Sequence, residues 1–265
     1  MLKKKSFKLT CFAILAFILL VALPFAGMSF ISLGQVLNPE LNPLDYRIFW
    51  GLRVPRILTA YVAGGALAIA GMVFPAMFRN PLATPFNLGV ASGASLGAAL
   101  YIQLGLTFTI LGFNGISLFA FLGALATTAL VYGLTRLKRG FSVATMLLAG
   151  VCLNFFFTSV IMFLKYISDF TGSFRIMRWL MGSLVVNGFE AIFNLLPFVV
   201  LGLLVILYFA YQFYVLFTGE ELAFSRGVSV IRTKSVLLFV TLILVGAVLA
   251  VCGAIGFVGT MALHI

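Results

Sequence analysis

The amino-acid sequence predicts an all-α fold, a bundle of helices that cross a membrane. Three observations lead to it. Hydrophobic residues make up 63% of the 265 positions and charged residues only 9%, whereas a soluble domain carries about 25% charged residues. The apolar runs last about 20 residues, the length a helix needs to cross hydrocarbon, while barrel strands alternate over about 10. All six acids, Glu40, Asp45, Asp169, Glu190, Glu220 and Glu221, fall in the breaks between runs or at their ends. In lipid the backbone must satisfy its own hydrogen bonds, which leaves helices or closed barrels. The run lengths select helices.

The first run, Leu9 to Leu33, follows Lys3, Lys4, Lys5 and Lys8. It is too long for the apolar region of a signal peptide, and further runs follow. It is therefore read as an uncleaved first span with a cytoplasmic N-terminus. Six more spans are expected at about 56–78, 87–111, 116–135, 143–164, 192–217 and 235–253, and an eighth starts near Ala254 and stops at Ile265. The whole chain, 1–265, is then one transmembrane domain. Alternate threading places 11 basic residues inside and 6 outside, which satisfies the positive-inside rule. Arg47, Arg53, Arg56, Lys165, Arg175 and Arg178 are the outside exceptions.

This pattern excludes several classes of function. The formal charge of +11 is accounted for by topology and leaves no basic face for nucleic acid. Cys11, Cys152 and Cys252 sit inside apolar runs at unrelated spacings and form neither a metal pattern nor a disulfide framework. No carboxylate lies mid-span, which argues against an ion-coupled carrier or channel, the competing class, because such carriers use intramembrane acids. The phosphate-binding pattern G-x-x-x-x-G-K-[ST] is absent, so the chain has no ATPase site of its own. The spans hold no Ser-His or paired-acid set, so no enzyme, metal or cofactor is expected. Gly89, Gly93 and Gly97, with Ser92 and Ser95 nearby, leave one helix face nearly flat and predict close helix packing. A short echo, "GALAIAGMV" from Gly65 and "GAVLAVCGAI" from Gly246, hints at an internal repeat.

Three longer stretches are more specific. One runs from Arg53 to Leu100, with two arginines around Pro55 and the turn Arg79-Asn80-Pro81, which breaks a helix. The second is "LLAGVCLNFFFTSVIMFLKYISD" followed by "RWLMGSLVVNGFE". The third, 219–234, "GEELAFSRGVSVIRTK", is the longest polar break on the inner side and leads through a span into "GAIGFVGTMALHI". There Glu220 and Glu221 stand where a short helix would begin, favourably for its dipole, and Gly227 would end it.

In order and spacing these stretches resemble the FecCD-type ABC importer permeases, which move iron-siderophore, heme or cobalamin across the cytoplasmic (inner) membrane. The resemblance implies about ten spans, a second permease subunit, two cytoplasmic ATPase subunits and an extracytoplasmic substrate-binding protein. It also implies iron-siderophore cargo, with heme or cobalamin as the alternatives. It assigns Arg53 and Arg56 to docking of the binding protein, for which the permanently charged, planar guanidinium is suited. It assigns 219–234, with Gly219, Glu220, Glu221, Arg226 and Gly227, to coupling with the ATPase. One departure stands out: Leu263 replaces the family's proline before His264, the lone histidine, which is read as a packing residue. The chain then stops, so it is read as a fragment or degenerate copy lacking the last spans.

Overall fold

The computed structural model describes residues 2–27, 32–38, 40, 42–78, 80, 83–110, 112–137, 143–186 and 188–255. Those residues form an all-α membrane bundle, as the sequence predicts. Among the described residues, five helical runs are long and apolar enough to cross a bilayer: Pro43–Phe78, Gly115–Thr135, Ala144–Ile167, Glu190–Tyr208 and Val230–Cys252. The expected eighth span falls almost wholly on residues outside the described set. Contacts divide the chain into two compact units, Met1–Val62 with Leu184–Phe193, and Ala63–Ser183 with Asn194–Ile265.

The first unit opens with α1 (Leu2–Ala22), followed by a 3-10 turn at Leu23–Phe25. The expected span from Leu9 to Leu33 is thus cut short: Pro24 has no N–H with which to continue the α-helical ladder, the helix gives way to the 3-10 turn, and the backbone is extended at Ala26. The unit continues with α2 (Leu33–Leu37) and α3 (Pro43–Ile48), then a π-turn at Phe49–Arg53 that runs into α4 (Val54–Phe78). Gln35 caps α2 by accepting from the Ser32 N–H at 2.9 Å. The Asn42 side chain caps α3, accepting from the N–H groups of Leu44 and Asp45. Buried Val36 and Phe49 form a small core with Phe25, Ile48 and Val54 around them. Pro55 lies just after the π-turn, inside the continuous run Pro43–Phe78, and its missing N–H leaves a carbonyl of the preceding turn without its intrahelical donor. Helix α4 continues into the second unit.

The second unit holds α5 (Val90–Gln103), a hairpin of β1 (Thr109–Ile110) and β2 (Phe113–Asn114), α6 (Gly115–Leu137), α7 (Val143–Ile167) and α8 (Phe170–Leu180). It then takes in most of α9 (Glu190–Tyr208), α10 (Ala210–Thr218), α11 (Glu220–Ser225) and α12 (Val230–Cys252). Helix α12 is the most enclosed of the five spans, with 67% of its most apolar 18-residue stretch buried, against 22% in α7 and α9.

Hydrocarbon gives apolar side chains no reason to leave lipid for one another, so close backbone approach must hold such a bundle together. The crossing of α5 on α6 shows it. A β-carbon at Gly97 would overlap the Phe119 carbonyl, one at Gly123 the Gly93 carbonyl, and one at Gly93 the Thr127 hydroxyl. The flat face expected from Gly89, Gly93 and Gly97 is this contact. Gly202 of α9 gives room to Leu244 of α12, and Gly246 of α12 to Ala124 of α6.

The expected span 87–111 takes a different form. Its helix is only 14 residues long, about 21 Å at 1.5 Å per residue, against hydrocarbon of about 30 Å. Gly89 starts it at φ 76°, a conformation that costs glycine little. Before it, a short 3-10 turn (Pro85–Leu88) is capped by the Thr84 side chain. Irregular backbone at membrane depth is tolerated where protein buries it; Ala83 and Leu88 are buried, and Gly150 of α7 lies against Leu88.

Candidate functional site

The arginine pair and the 219–234 segment each have a defined geometry. Arg53 ends the π-turn and Arg56 lies one turn on, in α4. Residues three apart are neighbours on a helix surface, but the two side chains have different fates. Arg53 is half-buried and turns back on its own unit, its Nη1 donating to the carbonyls of Pro24 at 3.2 Å and Phe25 at 3.5 Å. Carbonyls at a helix end lack intrahelical donors, and a guanidinium is a strong supplier. Gly27 makes the room: a β-carbon there would stand 2.7 Å from the guanidinium carbon. Arg56 is exposed. The same unit ties in its distant segment through the Gly188 N–H, which donates to Gly51 O at 2.8 Å.

Hydrogen bonds to charged groups are worth about 1.5–3 kcal/mol. Arg53→Met is therefore expected to lower the thermal midpoint of the purified chain by several degrees. Gly27→Ala should act in the same direction by displacing the guanidinium, and Arg56→Met should leave the midpoint nearly unchanged. Differential scanning fluorimetry in detergent reads all three.

The 219–234 segment forms the short helix expected of it. Gly219 breaks α10 from α11, which starts at Glu220. Its end is a Schellman motif: the Gly227 N–H donates to Phe224 O at 3.0 Å and the Val228 N–H to Ala223 O at 2.9 Å. Gly227 has φ 75°, which is why a glycine stands there. Buried Val215, Leu216, Ala223 and Val228 lock α11 to the end of α10. That packing turns other apolar residues outward, with Phe224 81%, Ile231 66% and Leu222 52% exposed. Glu221, Arg226 and Arg232 are exposed around them, whereas Lys234 is buried. An open cavity of about 860 Å³ lies beside Glu221, Phe224 and Ile231.

Sequence reasoning named the charges and glycines of this segment and missed Phe224. The direction of Phe224 is set by the packing of Ala223 against Val215, Leu216 and Val228, a contact with no signature inside the six-residue helix. Arg79, Lys138, Arg139 and His264 lie outside the described residues. Among the described residues no group of three His, Cys, Asp or Glu side chains is placed to hold a metal ion.

A model of the FecCD transport family matches residues 12–265. The chain is 37% identical over 227 residues to an uncharacterized ABC transporter permease protein, YvrB, of Bacillus subtilis (strain 168), a match covering 84% of this chain and 64% of that protein. It is 35% identical to the hemin transport system permease protein HmuU of Yersinia pestis, over 95% of this chain and 76% of the relative. In three dimensions it resembles a metal-chelate type ABC transporter in an inward-facing conformation, with a TM-score of 0.81 and 30% identity, over 98% of this chain and 79% of the other. The chain thus spans about two thirds to four fifths of the length of these proteins.

Proposed function

This chain belongs to the FecCD transport family, and on that footing we propose that it is the membrane-spanning permease subunit of an ATP-driven importer in the cytoplasmic membrane. Its cargo is a metal chelate, an iron-siderophore complex first and heme or cobalamin second. It pairs with a second permease subunit, two cytoplasmic ATPase subunits and an extracytoplasmic binding protein. Relatives named for hemin, cobalamin and Fe(3+)-citrate support a bulky chelate. One is named for molybdate, so family membership alone does not select the cargo.

The observation that carries this reading is α11: a short helix, packed on the end of α10 and closed by a glycine turn, that presents an aromatic knob, Phe224, between two apolar helices. A rigid exposed anchor of that kind suits a partner that must push on the bundle, because aromatic side chains seated in a pocket supply much of an interface's energy. Charge-based threading puts it on the same side as most basic residues, which the positive-inside rule makes the cytoplasm. ATP is hydrolysed there, on the partner.

The tagged chain, purified in mild detergent from its own membranes, should carry an ATPase subunit and vanadate-sensitive ATP hydrolysis that the binding protein stimulates. Ion conduction by the purified chain alone in a planar bilayer would overturn the reading in favour of a channel.

Arg56 carries the docking charge, and Arg53 holds the turn that presents it. Arg56→Glu is expected to weaken association with the cargo-loaded binding protein at least about tenfold at low salt, since close interfacial charge pairs couple by about 1.5 kcal/mol or more. The effect should shrink as salt rises. Unchanged affinity at low salt would make Arg56 an interfacial anchor only.

A further inference from the structure

One cavity takes no part in the coupling segment or the arginine pair. It is an open groove of about 270 Å³ between α5, α7 and α8, in which Asn154 and Thr158 are exposed and Lys165 is half-buried. Its polar lining comes from Ser92 and Ser95 of α5 and from Asn154, Thr158 and Lys165 of α7, with Leu180 of α8 beside them. Asn154, Thr158 and Lys165 follow one another at helical spacing, so they line one stripe about 16 Å long at 1.5 Å per residue. The stripe lies within the candidate span Ala144–Ile167.

The lining has a definite electrical character. Among the described residues no carboxylate belongs to it, and its one ionisable group is Lys165. The three hydroxyl protons are already committed: Ser92 donates to Gly89 O at 2.9 Å, Ser95 to Ala91 O at 2.7 Å and Thr158 to Asn154 O at 2.7 Å. Donors for a guest therefore come from the Lys165 ammonium and the Asn154 amide. A lysine in the last turn of α7 also suits the negative end of that helix, which accounts for its charge but not for the polar stripe beneath it. Polar groups at membrane depth are costly and mark solute paths.

We infer that this cavity is a hydrated, anion-accepting subsite, with Lys165 as counter-cation and Asn154 as neutral donor, for an acidic group of the chelate. That the guest is a chelate rests on the permease function. The electrostatics of the cavity do not, and the test separates the two.

In the full chain with Cys11, Cys152 and Cys252 replaced by alanine, Thr158→Cys is labelled in permeabilised membrane vesicles. Two methanethiosulfonate reagents of similar size are used, one a sulfonate and one a quaternary ammonium. Position 158 lies about 10 Å from position 165 along α7. At an effective dielectric between protein and water, one charge at that range favours the anionic reagent over the cationic one by roughly tenfold, after normalising to a free thiol. Lys165→Gln should bring the ratio close to one, and Lys165→Arg should keep it. No labelling by either reagent, or a ratio that Lys165→Gln leaves unchanged, overturns the anion-accepting cavity whatever the chain transports. Ferric citrate, used as an anionic chelate probe, should slow sulfonate labelling with Lys165 present and not with Lys165→Gln. If the charge ratio holds but ferric citrate gives no protection, the cavity accepts anions and its role for the chelate is refuted.

Discussion

Gly97→Leu is expected to abolish the native bundle. At that position the α5 helix lies directly on the Phe119 carbonyl of α6, and backbone cannot yield as a side chain can. Ordinary overpacking of a core costs about 1–3 kcal/mol; forcing two helix backbones apart along their whole crossing should exceed that range. Gly123→Leu faces the Gly93 carbonyl and should behave alike. Gly64→Leu and Gly65→Leu supply the contrast, because among the described residues nothing lies within 4 Å of a β-carbon at either position of α4. All four substitutions add the same apolar volume to a membrane helix. Monodisperse yield on size-exclusion chromatography should collapse for the first two and persist for the second two. Equal behaviour of all four would mean that the glycines do not hold this bundle.

The second large effect belongs to Phe224. Its ring is 81% exposed, so Phe224→Asp removes nothing from the fold of the chain and should leave its thermal midpoint in place. Loss of a central aromatic anchor typically costs at least about 2 kcal/mol of association, or about thirtyfold in affinity. Bringing a carboxylate into that pocket costs more. ATP-driven uptake should fall to background while the chain still inserts and folds. Val228→Asp, three residues beyond the helix and buried in its small core, should instead lower stability. A Phe224→Asp variant that still transports at full rate would remove α11 from the coupling path.

The sequence carried the helices well, because apolar run length is the signal that a bilayer imposes. It carried their interruptions poorly. Pro24 ends α1 and Gly89 starts α5, yet both sit inside runs that composition alone reads as continuous. Helix α8 has too few apolar residues to register as a span; its fit depends on Ile176 reaching Ala99, Ile102, Ile161 and Leu164, a long-range contact with no local signature. At the candidate sites the backbone chemistry was legible: Gly227 announced the end of α11. The direction of single side chains was not. Arg53 and Arg56 look equivalent in sequence, and only the carbonyls of Pro24 and Phe25, nearly thirty residues away, separate them.

Cysteine crosslinking from α11 tests the central claim most directly. With Cys11, Cys152 and Cys252 replaced and Glu221→Cys or Arg226→Cys introduced singly, both positions being exposed, the assembled complex is treated with a short thiol-to-amine crosslinker. The predicted result is one adduct between this chain and the ATPase subunit. ATP should change its yield, as a helix seated on a moving partner requires. Free reaction of both cysteines with water-soluble maleimide, with no adduct to the ATPase in any nucleotide state, would contradict the coupling role of α11 and the permease mechanism built on it.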